Sequence, residues 1–202
     1  MKNDIPIYMD YLYIMDSLRE YASPKAKVTS MIKSGAIVKV RRGLYIAPGN
    51  PLVSLKTLAN KIYSPSYISF EYALSHYGLI PERAYTITSA SMGKNKNKLF
   101  HTPVGSFSYQ SVNHAVYPHG TTIMEENGSP FLIASKEKAL CDMLSKAGGT
   151  SGIKSLKILL YDDYRIEKDA LLSLDTGDVE FLAPLYRKKA VVLLLKLLKK
   201  GG

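Results

Sequence analysis

The chain is poor in the residues that staple or anchor a protein. Its one cysteine, Cys141, excludes an intramolecular disulfide, and a lone thiol suits a reducing compartment. No long apolar run is present. The longest, residues 190–198, is interrupted by Lys196 and reaches about half of the roughly 20 residues a membrane helix needs. Residues 1–10 carry Asp4 and Asp10 and lack the apolar stretch of a secretory signal. These absences predict a cytoplasmic protein with no membrane partner. Walker-type phosphate loops and dinucleotide fingerprints are also missing. Of the four histidines, His76, His101, His114 and His119, only the last two are near each other. Their five-residue spacing in an expected loop is wrong for two ligands on one helical face. No metal and no cofactor is expected.

Acidic residues are the scarce charge: 17 against 27 Lys and Arg, for a net +10 over 202 residues. That excess favours a polyanionic partner, of which nucleic acid is the usual one. A hydrophobic content of 46% supports an ordinary packed core, in one domain or one plus a small appendage. The basic residues are segregated. Between Arg19 and Gly43 stand Arg19, Lys25, Lys27, Lys33, Lys39, Arg41 and Arg42, with Glu20 the sole acid. A second basic patch closes the chain: Arg187, Lys188, Lys189, Lys196, Lys199 and Lys200. A smaller cluster, Lys94, Lys96 and Lys98, sits in an Asn-rich loop, while acids gather at Glu125–Glu126 and between Asp162 and Glu180. A footprint on backbone phosphates needs such segregation, because each neutralised phosphate releases counterions.

Three- and four-residue spacing of Tyr8, Leu12, Met15 and Leu18 predicts a helix over 8–21 with these on one face. Ser23 then offers an N-cap and Pro24 a first helical position; this second helix runs to Ser34, where Gly35 supplies the left-handed cap. With Val28, Met31 and Ile32 packed inward, Ala26, Lys27, Thr29, Ser30 and Lys33 point outward. An exposed Lys/Ser face is common on solvated helices, so the helix alone decides nothing. The next residues along the chain do decide: Ile37, Val38 and Val40, a turn at Arg41-Arg42-Gly43, then Leu44, Tyr45 and Ile46, ended by Pro48-Gly49. A capped polar helix succeeded by a basic-tipped hairpin is the order of a winged helix. The candidate DNA-binding residues are Lys25, Lys27, Thr29, Ser30, Lys33, Lys39, Arg41 and Arg42.

Residues 32–45 (IKSGAIVKVRRGLY) resemble the winged-helix start of the abortive-infection antitoxin family (AbiEi-like, type IV toxin–antitoxin systems). Residues 67–82 (YISFEYALSHYGLIPE) resemble its central helix and exit, and residues 133–142 (IASKEKALCD) its second signature helix. The resemblance spans nearly the whole chain. It implies a phage-defence antitoxin and transcriptional autorepressor of a two-gene operon, binding inverted repeats in its own promoter through the N-terminal module. It also implies that the protein counters a nucleotidyltransferase-like toxin, without a stable complex. Family modules place three helices before the wing, whereas only about two fit between Ile5 and Gly35 here.

The remainder predicts a larger domain: helices over 52–62 and 69–77, period-two strand residues from Tyr85 to Ala90, and a polar loop over 93–98. Strands come next over 104–112, 121–126 and 131–134, then a Ser135-capped helix to about Lys146. Beyond the glycine-rich stretch 148–152, helices are expected over 154–161, 167–174, 179–186 and 190–199. The fold class expected is α+β: a truncated winged-helix-like unit (1–49), then a mixed α/β effector domain (50–202) with antiparallel strands and a helical C-terminus.

Enzyme chemistry finds little footing. Cys141 sits among Ala139, Leu140, Met143 and Leu144 and reads as a small buried hydrophobe. Nucleotidyl transfer wants a Gly-Ser turn with paired carboxylates close behind it, but Gly105-Ser106 and Asp162-Asp163 are more than fifty residues apart. Aromatics such as Tyr72, Tyr77, Tyr85 and Tyr109 suit core packing first and base stacking second. The chain reads as a non-enzymatic regulator that binds double-stranded promoter DNA, as a monomer or a DNA-induced dimer. The alternatives are a protein-interaction module that no longer reads DNA, and RNA binding through the basic C-terminus.

Overall fold

The computed structural model describes residues 6–93 and 96–201. The chain opens with β1 (Tyr8–Asp10), α1 (Tyr11–Ser17), α2 (Pro24–Lys33), β2 (Val38–Arg41) and β3 (Leu44–Ile46). The helix expected over 8–21 is therefore divided. Its first three residues pair antiparallel with β3, Tyr8 opposite Ile46 and Asp10 opposite Leu44. Asp10 then starts α1, its carboxylate accepting the Tyr13 N–H at 2.7 Å, which satisfies one of the free donors of a helix start. This later start sets the helical phase by Ile14 and Leu18, both buried, and leaves Leu12 76% exposed rather than on the inner face. In α2 Pro24 and Gly35 stand where expected, Gly35 at φ +74°. Ser23 precedes the helix, but its hydroxyl makes no capping bond.

The three strands form a sheet in the order β1-β3-β2, and the two faces bury different things. Met9, Ile37 and Tyr45 join Ile14, Leu18 and Val28 in a small core beneath α1 and α2. Val40, Leu44 and Ile46 face the other way and belong to the main core of the molecule. Alternation along a strand thus makes one short sheet the common wall of two cores.

The rest of the chain runs α3 (Leu55–Ile62), β4 (Ser66–Ile68), α4 (Phe70–His76), β5 (Ile87–Met92), β6 (Lys98–Thr102), β7 (Gly105–Val112), β8 (Thr121–Glu126), β9 (Ser129–Ala134) and α5 (Lys136–Lys146). It ends with α6 (Ile153–Lys157), a π-helical turn (Ile158–Asp163), α7 (Lys168–Leu172), α8 (Thr176–Tyr186) and α9 (Lys189–Leu198). The second sheet has the order β6-β7-β5-β4-β9-β8. It is mixed: β4–β9 and β5–β7 are parallel, the remaining pairs antiparallel. Register puts Ile68, Ser89, Tyr109 and Ile133 on one face. There the Tyr109 hydroxyl donates to the Ala59 carbonyl of α3 at 2.6 Å. Tyr67, one residue out of step, reaches the opposite face and donates to Asp142 of α5 at 2.9 Å. The large sheet is thereby covered by α3 on one side and by the α5-centred helices on the other. The protein is an α+β fold with two sheets and a helical C-terminus. No described helix is long and apolar enough to cross a membrane.

At the centre lies a fully buried polar cluster. Asp142 accepts from Tyr67 and Ser69 on one oxygen and from Lys138, at 3.2 Å, and Tyr186, at 2.6 Å, on the other. The Lys138 ammonium also donates to the Val116 carbonyl at 2.9 Å. Burial pushes the lysine's proton affinity down, opposed by the Asp142 charge, and holds the Tyr67 and Tyr186 hydroxyls well above their ordinary range. Both ions are wholly covered, so the cluster ties α5 to β4 and α8 and touches no solvent. A buried pair survives only when its remaining lone pairs and protons are satisfied.

Candidate nucleic-acid interface

Among the described residues the order β1-α1-α2-β2-β3, with sheet order β1-β3-β2, matches that of a winged helix from its first strand onward. Among the described residues two helices precede the hairpin, the number expected to fit between Ile5 and Gly35. Val28 packs inward and Met31 and Ile32 are half-buried against the small core. At 100° per residue this leaves Ala26, Thr29, Ser30 and Lys33 on the outer arc of α2, all exposed, with Lys25 exposed and Lys27 half-buried on its flanks. Lys27 holds its ammonium 4.9 Å from the ring centroid of the exposed Tyr21. Thr29 donates its hydroxyl to the Lys25 carbonyl at 3.1 Å, so as it stands its oxygen presents lone pairs outward.

The wing cations divide. Lys39 is paired with Tyr45 across the hairpin, so it shares the face that carries α1 and α2, and it is exposed. Strict alternation would put Arg41 there too. A register shift between Lys39 and Arg41 instead sets Arg41 opposite Leu44, and a bulge of this kind turns the extra residue toward its neighbour's face. Arg41 accordingly points at the larger domain, where its guanidinium donates to the Ile62 carbonyl at the end of α3. Its charge lowers the proton affinity of the Tyr109 hydroxyl slightly, against the dominant upward effect of burial. Arg42 remains exposed at the turn, with Gly43 at φ +80° behind it, a conformation open to glycine at little cost. Of the eight residues expected to meet DNA, seven lie on or beside the outer surface of the N-terminal unit; Arg41 is drawn inward.

The second basic patch is not one surface. Arg187, Lys188 and Lys189 are exposed at the turn between α8 and α9, with Arg187 in the left-handed region at φ +51°. Lys196, Lys199 and Lys200 are exposed at the far end of α9, about 15 Å away along its axis. Lys199 there is paired with Glu180. Of the loop cluster, Lys98 opens β6 and Lys96 is exposed beside it; Lys94 lies outside the described residues.

Sequence reading missed one cation of this neighbourhood. Lys61, in the last turn of α3, is exposed with its ammonium 5.4 Å from the ring centroid of Tyr8. The signal for it, a basic residue ending a helix just before Ser64-Pro65, is too common to single out. Among the described residues no group of three or more His, Cys, Asp or Glu side chains is arranged to hold a metal. Cys141 is fully buried, its thiol pushed well above the ordinary range by burial.

No protein family matches the chain, and no curated protein matches it. Among solved structures it is similar to the RV2827C protein from Mycobacterium tuberculosis, with a TM-score of 0.59 at 13% identity, covering 98% of this chain and 73% of that one. At that identity the likeness is one of fold.

Proposed function

We propose that this protein is a cytoplasmic, non-enzymatic DNA-binding regulator that reads duplex promoter DNA with α2 and its adjoining wing. The observation that carries the reading is the outer arc of α2. It offers Thr29, Ser30 and Lys33, uncovered by any other element, beside an exposed Arg42 turn and Lys39. A helix of this kind fits a major groove, where hydroxyls and ammonium groups meet base edges, while the turn lies against the backbone. The resemblance of three sequence stretches to AbiEi-like antitoxins extends the proposal: an antitoxin that represses its own operon and opposes a nucleotidyltransferase-like toxin.

The test is a titration of the promoter upstream of the gene. Replacing Thr29, Ser30 and Lys33 together by Ala is expected to weaken operator binding at least tenfold, roughly 1.4 kcal/mol, while leaving the affinity for unrelated duplex much closer to wild type. Operator affinity equal to wild type in a correctly folded triple variant overturns the reading.

A protein-interaction module without sequence-specific DNA binding draws on one observation of its own. Leu12 is 76% exposed, with Tyr11 and Tyr13 beside it at 40% and 38%, an apolar surface on α1. Toxin capture by the triple variant as well as by wild type, with no retardation of operator DNA by either, would favour that module.

A further inference from the structure

Between the wing turn and the end of α3 lie two adjoining cavities of about 400 and 560 Å³. Arg41, Arg42, Lys61 and Ser64 line both. Tyr8 and Asn60 are among the other residues lining the first, and Tyr63 and Phe100 among those of the second. The three cations come from two different parts of the molecule, the hairpin and α3. Among the described residues none of them has a carboxylate within the 4.0 Å of an ion pair. Asp10 borders the first cavity, but it is already engaged in capping α1.

Arg41 is the informative member. It is half-buried, and its partners are neutral: the Ile62 carbonyl on Nη1 and the Arg42 carbonyl on Nε, at 3.4 Å. Carbonyls fix the orientation of a guanidinium without cancelling its charge, and a partly desolvated cation without a counter-charge is costly. The remaining N–H donors of the planar fork suit an anion with several oxygens, which is the geometry of phosphate. Lys61 adds a point charge from α3, and Ser64 carries a neutral hydroxyl donor.

We infer that this cleft holds a backbone phosphodiester of the duplex, so that the larger domain contributes to the DNA interface through Lys61. The inference rests on the reading that α2 and the wing bind duplex DNA. It adds a phosphate contact outside the N-terminal unit, continuous with Arg42 at the turn. Such a contact carries no sequence information; it fixes how the bound backbone lies across the seam between the two parts of the chain.

The experiment measures operator and scrambled-duplex affinity across a salt series for the full-length protein, for Lys61→Gln, for Lys61→Arg, and for Lys154→Gln, which removes the same charge from exposed α6. Loss of one phosphate contact shallows the slope of log affinity against log salt by about 0.9. That change is expected for Lys61→Gln on both duplexes equally, absent for Lys154→Gln, and reversed in Lys61→Arg. An unaltered slope in Lys61→Gln, with wild-type protein still binding operator, overturns the inference and leaves the DNA-binding reading intact. A free mononucleotide that raises the melting temperature of wild type but not of Lys61→Gln, with unchanged duplex slopes, assigns the cleft to a soluble phosphate ester and likewise overturns it. Failure of wild type to bind either duplex removes both.

Discussion

Arg41 and Arg42 are sequence neighbours at one turn, and a single bulge gives them separate tasks. Arg41 ties the hairpin to α3 through the Ile62 carbonyl, whereas Arg42 is exposed at the tip. Charge-assisted hydrogen bonds to a carbonyl contribute on the order of 1.5–3 kcal/mol when partly buried, and exposed arginines contribute little to folding. Arg41→Ala should therefore lower the melting temperature measurably, and Arg42→Ala should not. In duplex titrations Arg42→Ala should shallow the salt slope by about 0.9. Equal thermal stability of the two variants in calorimetry would contradict the division. Nothing in the string Lys39-Val40-Arg41-Arg42 announces the bulge, because it depends on which residues β3 offers opposite; sequence alternation alone places Arg41 with Lys39.

At the scale of elements, α2 and the hairpin after it were legible because local rules fix them. Pro24 at the start, Gly35 and Gly43 at positive φ, and a β-branched run between them leave few other conformations. β1 was not legible, since three residues that also fit a helical spacing give too short a pattern to tell period two from 3.6. β4 escaped for the same reason, hidden beside Pro65. The beginning of β6 read as polar loop because it is an edge strand without a clean inside and outside. Pairs that join distant elements were invisible as well. Glu126 of β8 accepts from Ser54 and Lys56 at the start of α3, at 2.7 and 2.8 Å. Its burial favours the protonated acid, but those two bonds and the charges of Lys56 and His76 outweigh it and hold the carboxyl below its usual 4.5. A group whose folded value is depressed contributes in full above its unfolded value and loses that contribution as pH falls through the folded one. Wild type should therefore lose more thermal stability than Glu126→Gln between about pH 5 and pH 3. Parallel melting curves for the two proteins over that range would refute the assignment.

For the molecule as a whole, the strongest constraint is the covered Lys138–Asp142 cluster. The i, i+4 spacing of these two residues on α5 is visible in the chain, but spacing alone does not say that the pair is buried. Four donors converge on one carboxylate, and removing its charge strands an ammonium with no water to reach. Asp142→Asn should cost about 3–5 kcal/mol, read from the denaturant midpoint at unchanged slope. A loss under about 1 kcal/mol would show that the cluster relaxes and that its burial is not a fixed feature of the fold.

The three-stranded sheet has a consequence for control. Because one side of it seats α1 and α2 and the other is part of the main core, the N-terminal unit is joined to the body by packing and not by its linker alone. On the proposed function, a signal that ends DNA binding is expected not to act by letting this unit drift on a tether. Under that proposal it would either occlude the α2 surface from outside or peel the sheet from the main core, and peeling exposes Val40, Leu44 and Ile46 to water. The second route would register as faster amide exchange along β2 and β3, and the first would leave those amides as slow as before.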